Sequence, residues 1–244
     1  MSLPIDTSTT LGEIVAADYR AAGVLDQFGL DFCCGGKRTF GAACTAARLD
    51  PGVVGAELAK LSERSATTGV PDVTWAVDAL ADYIVRRHHS YVREQLPVID
   101  GHLAKLAAVH GDRHPELAQI VAHFAELAGE LRLHMVKEEQ VLFPYLQQLA
   151  ASAECGLEPP VGMFGSVSNP IRMMEAEHRY AGDELGVIRE MTSNYAVPSD
   201  GCTTYRICYQ ELAAFDADLR QHIHLENNIL FPHAVTLEAA LNGG

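Results

Sequence analysis

Two eleven-residue stretches carry the chemistry of this chain. HMVKEEQVLFP opens at His134 and HIHLENNILFP at His222, 88 residues later, with five positions identical. Each places a histidine and a glutamate four apart: His134 with Glu138, and His222 with Glu226. On an α-helix such residues share one face and sit about 6 Å apart along the axis, so the imidazole and the carboxylate aim the same way. A second correspondence pairs Ile84 and His88 with Met174 and His178, at an offset of 90. Each half of this block therefore holds one histidine on a first helix and a HxxxE on the next. The pattern predicts two helical hairpins related by a pseudo-twofold axis.

The faces that carry these residues are apolar. One runs through Leu131, His134, Glu138, Leu142 and Tyr145, and its counterpart through Leu219, His222, Glu226, Leu230 and His233. The stripe Ile171, Met174, His178, Ala181, Leu185 is of the same kind. The ligands thus point into a core, where an unpaired carboxylate is costly and rarely found. No Lys or Arg recurs on these stripes, so the remaining remedy is a bound cation. Four imidazoles and two carboxylates suit two metal ions better than one. With both carboxylates bridging, each ion receives two nitrogens and two oxygens. An oxo or hydroxo bridge makes five, and one position stays open for a small ligand. Nitrogen and oxygen donors without thiolate suit non-haem iron, with manganese and zinc as alternatives. Periodicity does not separate His88 from its neighbour, because Val85, His89 and Val92 form a stripe as good as Ile84, His88 and Tyr91.

Elements of matching length must position these groups. Apolar residues recur at three- and four-residue spacing, and alternating strand patterns are scarce, so the chain reads as all-α. Four long helical stretches are expected at about 76–110, 115–150, 168–195 and 202–240, making a four-helix bundle. Pro97 should kink or split the first, and the two LFP tripeptides should end the apolar stripes and kink their helices. The division expected is a small helical domain over 1–67, a linker over 68–77 and the bundle over 78–244. In the small domain Thr10 and Glu13 have capping-box spacing, and Asp50–Pro51 opens a helix.

Between these short helices lies LDFCCGGK, which sets Cys33 and Cys34 side by side. A permanent bond between them would close a strained ring. Gly35 and Gly36 allow open backbone and leave the thiols uncrowded. If the following helix starts near Lys37, its N-terminus and the charges of Lys37 and Arg38 would lower the thiol pKa and make a reactive pair; the bland alternative is a buried turn. Cys44, Cys155, Cys202 and Cys208 have no helpful neighbours and read as structural or incidental. His102, His110, His114, His123 and His224 read as ordinary histidines with one hydrogen bond, and Glu139, Glu175 and Glu177 as solvated or supporting groups.

HMVKEEQVLFP, MEAEHRYAG, HIHLENNILFP and the LDFCCGG turn together resemble the repair-of-iron-centres family, hemerythrin-like di-iron proteins induced by nitric oxide and oxidative stress. The resemblance spans about Leu11 to Pro232 and implies a hemerythrin-like bundle behind a cysteine-pair domain. It implies His88, His134, Glu138, His178, His222 and Glu226 as ligands of two iron ions, Glu138 and Glu226 bridging, and it is the resemblance that favours His88 over His89. The implied role is repair of iron–sulfur clusters, with iron–sulfur proteins as targets and nitric oxide or oxygen as the small gaseous ligand. Iron donation, nitric oxide reduction of an enzymatic kind and simple ligand binding or sensing stay open, as does whether Cys33 and Cys34 pass electrons, iron or nitrosyl groups. The cysteine domain could dock on its own bundle or on that of a second chain in a homodimer.

Bulk properties narrow the rest. The formal net charge is −14, which argues against nucleic acid and anionic membrane as partners. No apolar run reaches the ~18 residues of a membrane span, and the first residues lack the pattern of a secretory signal. A cytoplasmic location is expected. At 48% hydrophobic content the chain can bury a substantial core.

Overall fold

A computed structural model describes residues 6–63 and 71–243. Residues 68–70 of the expected linker, and residues 1–5 and 64–67 of the expected small domain, lie outside them. Among the described residues there are helices and two isolated β-bridges, but no strand.

The first block holds α1 (Leu11–Ala17), α2 (Ala21–Gln27), α3 (Phe40–Ala47) and α4 (Pro51–Ala59). Thr10 and Glu13 form the capping box: the Glu13 amide donates to Thr10 Oγ1 at 3.2 Å, and the Thr10 amide donates to Glu13 Oε2 at 2.8 Å. Asp50 caps α4 by accepting from the Gly52 amide at 2.8 Å, with Pro51 at the first helical position. The helix after the cysteine turn starts at Phe40 on a Thr39 cap, not near Lys37.

Four rods form the second block. The first joins α5 (Val77–Ile84) and α6 (Ser90–His110) through a π-turn at Val85–His89. The second joins α7 (Glu116–Lys137) and α8 (Phe143–Cys155) through a π-turn at Glu138–Leu142. The third is the unbroken α9 (Ser168–Met191). The fourth joins α10 (Thr203–Leu225) and α11 (Phe231–Asn242) through a π-turn at Glu226–Leu230.

The prolines act differently from the expectation. α6 runs on through Pro97, which lies on the exposed face where water can serve the carbonyl it leaves free. The LFP prolines do not end the apolar stripes, which continue through Leu146 and Leu149 on one rod and Ala234 on the other. Pro144 and Pro232 each follow a wide turn closed by the preceding Phe amide, Phe143 to Glu138 O and Phe231 to Glu226 O. A widened turn accommodates a ring that would clash in a regular helix and that brings no N–H.

Two apolar clusters fill the bundle. One holds Leu96, Leu103, Phe124, Leu127 and Phe215 and continues into the first block through Leu11, Leu25 and Phe40. The other holds Leu80, Ile84, Leu146, Met174 and Phe231. Shared burial docks the cysteine block on its own bundle. A polar layer separates the clusters, because each rod changes cluster across its histidine: Leu131 and Leu142 flank His134, and Met174 and Ala181 flank His178.

Candidate metal centre

The polar layer holds His89, His134, Glu138, His178, His222 and Glu226, all buried, with Glu138 and Glu226 at 0% exposure. Their donor atoms fall into two groups, each with its members within 4.8 Å of one another: His89, His222, Glu138 and Glu226, and His134, His178, Glu138 and Glu226. Both glutamates belong to both groups. In the first, His89 Nε2 lies 3.2 Å from His222 Nε2. In the second, His134 Nε2 lies 3.0 Å from His178 Nε2. Glu138 Oε2 is 3.3 Å from both His89 Nε2 and His134 Nε2. Glu226 divides its oxygens, Oε1 at 3.0 Å from His222 Nε2 and Oε2 at 3.1 Å from His178 Nε2.

These spacings fit cations. Two nitrogens each about 2.1 Å from one first-row ion and at right angles lie about 3.0 Å apart. Both oxygens of Glu138, and Oε2 of Glu226, are buried without a hydrogen-bond partner. Such orphaned oxygens need an explanation, and a cation between the imidazoles supplies one.

Electrostatics show how the layer stays balanced through protons. Burial and the facing Glu226 push Glu138 up, but the His134 and His89 imidazoles outweigh them and hold it at about 2. Burial pushes His134 down, but Glu138 and Glu177 raise it to about 10. His222 is lowered because burial dominates. A metal ion held by these residues would take over this balancing, with release of protons.

Supporting groups fix three of the four imidazoles. His89 Nδ1 donates to Glu139 Oε1 at 2.6 Å, His134 Nδ1 to Glu177 Oε2 at 2.8 Å and His178 Nδ1 to Asn227 Oδ1 at 2.8 Å. With the proton held on Nδ1, each Nε2 presents its lone pair to the layer. Glu139 also pairs with Arg93, and Glu177 with Lys137 at 2.5 Å.

His88 is not in either group, which corrects the expected ligand set. Its Nδ1 turns to Asp218 at 3.1 Å, and its ring stacks on His222 with centroids 5.6 Å apart. The π-turn is the reason. Going forward from Leu80 and Ile84, the stripe reaches His88; going back from Leu96 and Val92, it reaches His89. A turn one residue wider lets both stripes face inward, and both histidines are buried. The other five expected ligands meet in the layer.

The cysteine turn abuts the centre. Cys34 Sγ lies 3.4 Å from the carbonyl oxygen of His178. The side-chain amides of Asn227 and Asn228 donate to the Cys33 carbonyl at 3.4 and 3.3 Å. Gly36 is required there, since a Cβ would meet Asn228 Oδ1 at 2.2 Å. The expected lowering of the thiol pKa is reversed at Cys33. The neighbouring Cys34 thiol and burial raise it, while α3 begins too late to help and Lys37 is drawn off to Glu175 at 2.6 Å.

Comparison with known proteins agrees with this layout. Residues 80–234 match the hemerythrin HHE cation binding domain, and residues 7–62 match a domain of unknown function, DUF542. An iron–sulfur cluster repair protein YtfE from Musicola paradisiaca is 37% identical over 233 residues, covering 94% of this chain and 97% of the relative. Its namesakes from Enterobacter sp. (strain 638) and Escherichia coli O81 are 37% identical over 231 residues, covering 93% of this chain and 97% of theirs. The chain belongs to the YtfE family. The hemerythrin match coincides with the four rods, and the second match contains the cysteine turn. No helix among the described residues is long and apolar enough to cross a membrane.

Periodicity left His89 level with His88, and the sequence pointed neither to Asn227 nor to a third feature at the far end of the bundle. Cys202 is exposed before α10, and its Sγ lies 3.3 Å from Nε2 of the buried His110. Arg113 Nη2 is 3.0 Å from His110 Nδ1. Arginine can only donate, so Nδ1 accepts and the proton sits on Nε2, facing the sulfur. The Tyr205 amide and this imidazole bring the Cys202 thiol down to about 7. Cys202 stands 92 residues beyond His110 in the sequence, and no local pattern announces the pair.

Proposed function

We propose that this chain repairs iron–sulfur clusters damaged by nitric oxide or oxidative stress, using a non-haem centre of two iron ions. The observation that supports this reading above all is the sharing of Glu138 and Glu226 by two imidazole pairs in a buried layer. His89 and His222 would hold one ion, His134 and His178 the other, and the two glutamates would span both. Bound iron supplies a one-electron redox change per ion and affinity for a small gaseous ligand such as nitric oxide or oxygen.

The protein's own part is positioning and exclusion. Glu139, Glu177 and Asn227 fix imidazole tautomers, so the donor atoms need no rearrangement to receive a cation. The apolar clusters on either side keep water from the layer. Cys34, held against the His178 carbonyl, and Cys33 beside it form a transfer point between the centre and a target iron–sulfur protein. A protein that only scavenged or sensed a gas would need no thiol pair against a ligand histidine, and this placement favours repair over simple binding. All six cysteines are free thiols, which suits a reducing cytoplasm.

Iron analysis and a visible spectrum of the purified protein test the centre: two irons per chain are expected, and an iron-free protein would remove the reading. Reactivation of a nitric-oxide-damaged iron–sulfur enzyme tests the role. Cys34→Ser should abolish reactivation while leaving the iron content unchanged. Undiminished reactivation by that variant would refute the transfer point. Nitrous oxide formed when the reduced protein meets nitric oxide anaerobically would add reduction to the repair role; gas uptake without product or cluster reactivation would favour the binding protein instead.

A further inference from the structure

The cysteine turn borders a cavity of about 610 Å³ between the first block and the bundle, with Asp31, Cys33, Cys34, Arg179, Gly182 and Arg220 on its wall. Asp31, Cys33 and Cys34 bring one oxygen and two sulfurs within 4.8 Å of one another. We propose that these three residues form a second cation site, separate from the layer in the bundle, for a single thiophilic divalent ion.

The distances favour it. Cys33 Sγ and Cys34 Sγ are 3.9 Å apart. Two thiolates bound tetrahedrally about 2.3 Å from one ion lie about 3.8 Å apart. Asp31 Oδ1 is 3.2 Å from Cys33 Sγ, against about 3.5 Å for a carboxylate oxygen and a thiolate on the same tetrahedral ion. The carboxylate is held in place by the Cys33 and Cys34 amides, which donate to Oδ1 at 3.0 and 3.1 Å. The turn itself is held by Asn227 and Asn228, so its donors meet the ion nearly in place.

Uptake needs no electron transfer. A divalent ion displaces two thiol protons to solvent, two S–H bonds become two metal–sulfur bonds, and the charge of the turn is unchanged. That neutrality suits the burial of Cys33. Three protein donors leave a tetrahedral ion one position, on the cavity side, for an incoming ligand. Two thiolates and one carboxylate select soft or borderline ions such as ferrous iron, zinc or cobalt over magnesium or calcium. The site rests on the repair reading only for its physiological ion, which would be ferrous iron in transit; the site itself does not depend on that role.

Cobalt(II) is the probe, because thiolate ligation gives it near-ultraviolet charge-transfer absorption. The full chain carrying Cys155→Ser and Cys202→Ser, loaded with iron in the bundle and fully reduced, is titrated anaerobically. One further cobalt per chain should bind with the thiolate band. Cys33→Ser and Cys34→Ser should each abolish the two-thiolate spectrum, and zinc should displace the cobalt. Asp31→Asn, which keeps both thiols, should weaken binding more than about tenfold. Circular dichroism of each variant separates loss of the site from loss of the fold. No thiolate band in the folded parent, or a band that survives both serine substitutions, would overturn the proposal. Two bound irons and intact cluster repair without a cobalt band would sink this site alone, whereas a cobalt band in a chain that never loads iron would sink the repair reading alone.

Discussion

The two hairpins of the bundle present the same donors and support them differently. Residue by residue, Glu139 follows Glu138 as Asn227 follows Glu226. Both accept a hydrogen bond from an imidazole of their own hairpin, His89 in the first and His178 in the second. A carboxylate has only acceptors, and Glu139 spends its remaining capacity on Arg93 at the surface. An amide has two donor hydrogens as well, and Asn227 uses one on the Cys33 carbonyl. The pseudo-twofold thus preserves the geometry that a cation demands, while the supporting positions diverge. The first hairpin is tied to solvent-facing cations and the second to the thiol turn.

The largest test of this picture removes what the hairpins share. Glu226→Gln should lose both irons, because that carboxylate belongs to both groups, whereas His89→Gln should lose one and His88→Gln should keep two. Metal analysis decides among them, and a two-iron His89→Gln protein would break the assignment. Exchanging the supporting groups comes next. Asn227→Asp keeps an acceptor for His178 but sets a carboxylate against the Cys33 carbonyl, and the turn should loosen by about 1–3 kcal/mol. Glu139→Gln should leave the turn untouched and lower metal affinity by about 10-fold or more. Alkylation rates at Cys34 read the first effect and metal competition the second; equal rates in both variants would erase the distinction between hairpins.

Gly36→Ala probes the same contact from the other side. The added methyl meets Asn228 and the Phe32 carbonyl within 2.7 Å, and overpacking of this kind costs about 1–3 kcal/mol. Faster proteolysis of the first block with the bundle's melting unchanged is the expected result. The smallest effect lies at the far end of α10. Cys202, with its pKa about 7, is protonated below that pH and largely thiolate above it, so iodoacetamide should label it with a rate that climbs through pH 7. A free thiol would climb only near 8.5. His110→Gln should move the profile of Cys202 upward and leave Cys33 and Cys34 unaffected, which would confine the His110 effect to the end of the bundle away from the metal layer.

Much of this was legible in the sequence. Helical spacing alone placed His134, Glu138, His222 and Glu226 on inward faces, because residues four apart on a helix must share one. His178 followed from the Met174–Leu185 stripe, and the capping box and the Asp50–Pro51 start were local hydrogen-bonding patterns that form as written. The choice of His89 was not legible. It depends on a π-turn, which shifts an apolar stripe by one residue, and extrapolation from either side of the turn gives a different histidine. Pro144 and Pro232 were readable as departures from α-geometry, but a wide turn that keeps the rod going looks the same in sequence as a helix end.

The residues themselves determined that imidazoles and carboxylates would be buried together, since periodicity ties each to an apolar face and burial of bare carboxylates requires a balancing charge. Only the tertiary structure decided which neighbours would finish the site. Asn227 against Cys33, Glu177 against His134 and His110 against Cys202 are contacts between segments 43 to 194 residues apart, and a distance of that kind is set by how rods pack, not by any spacing along one of them.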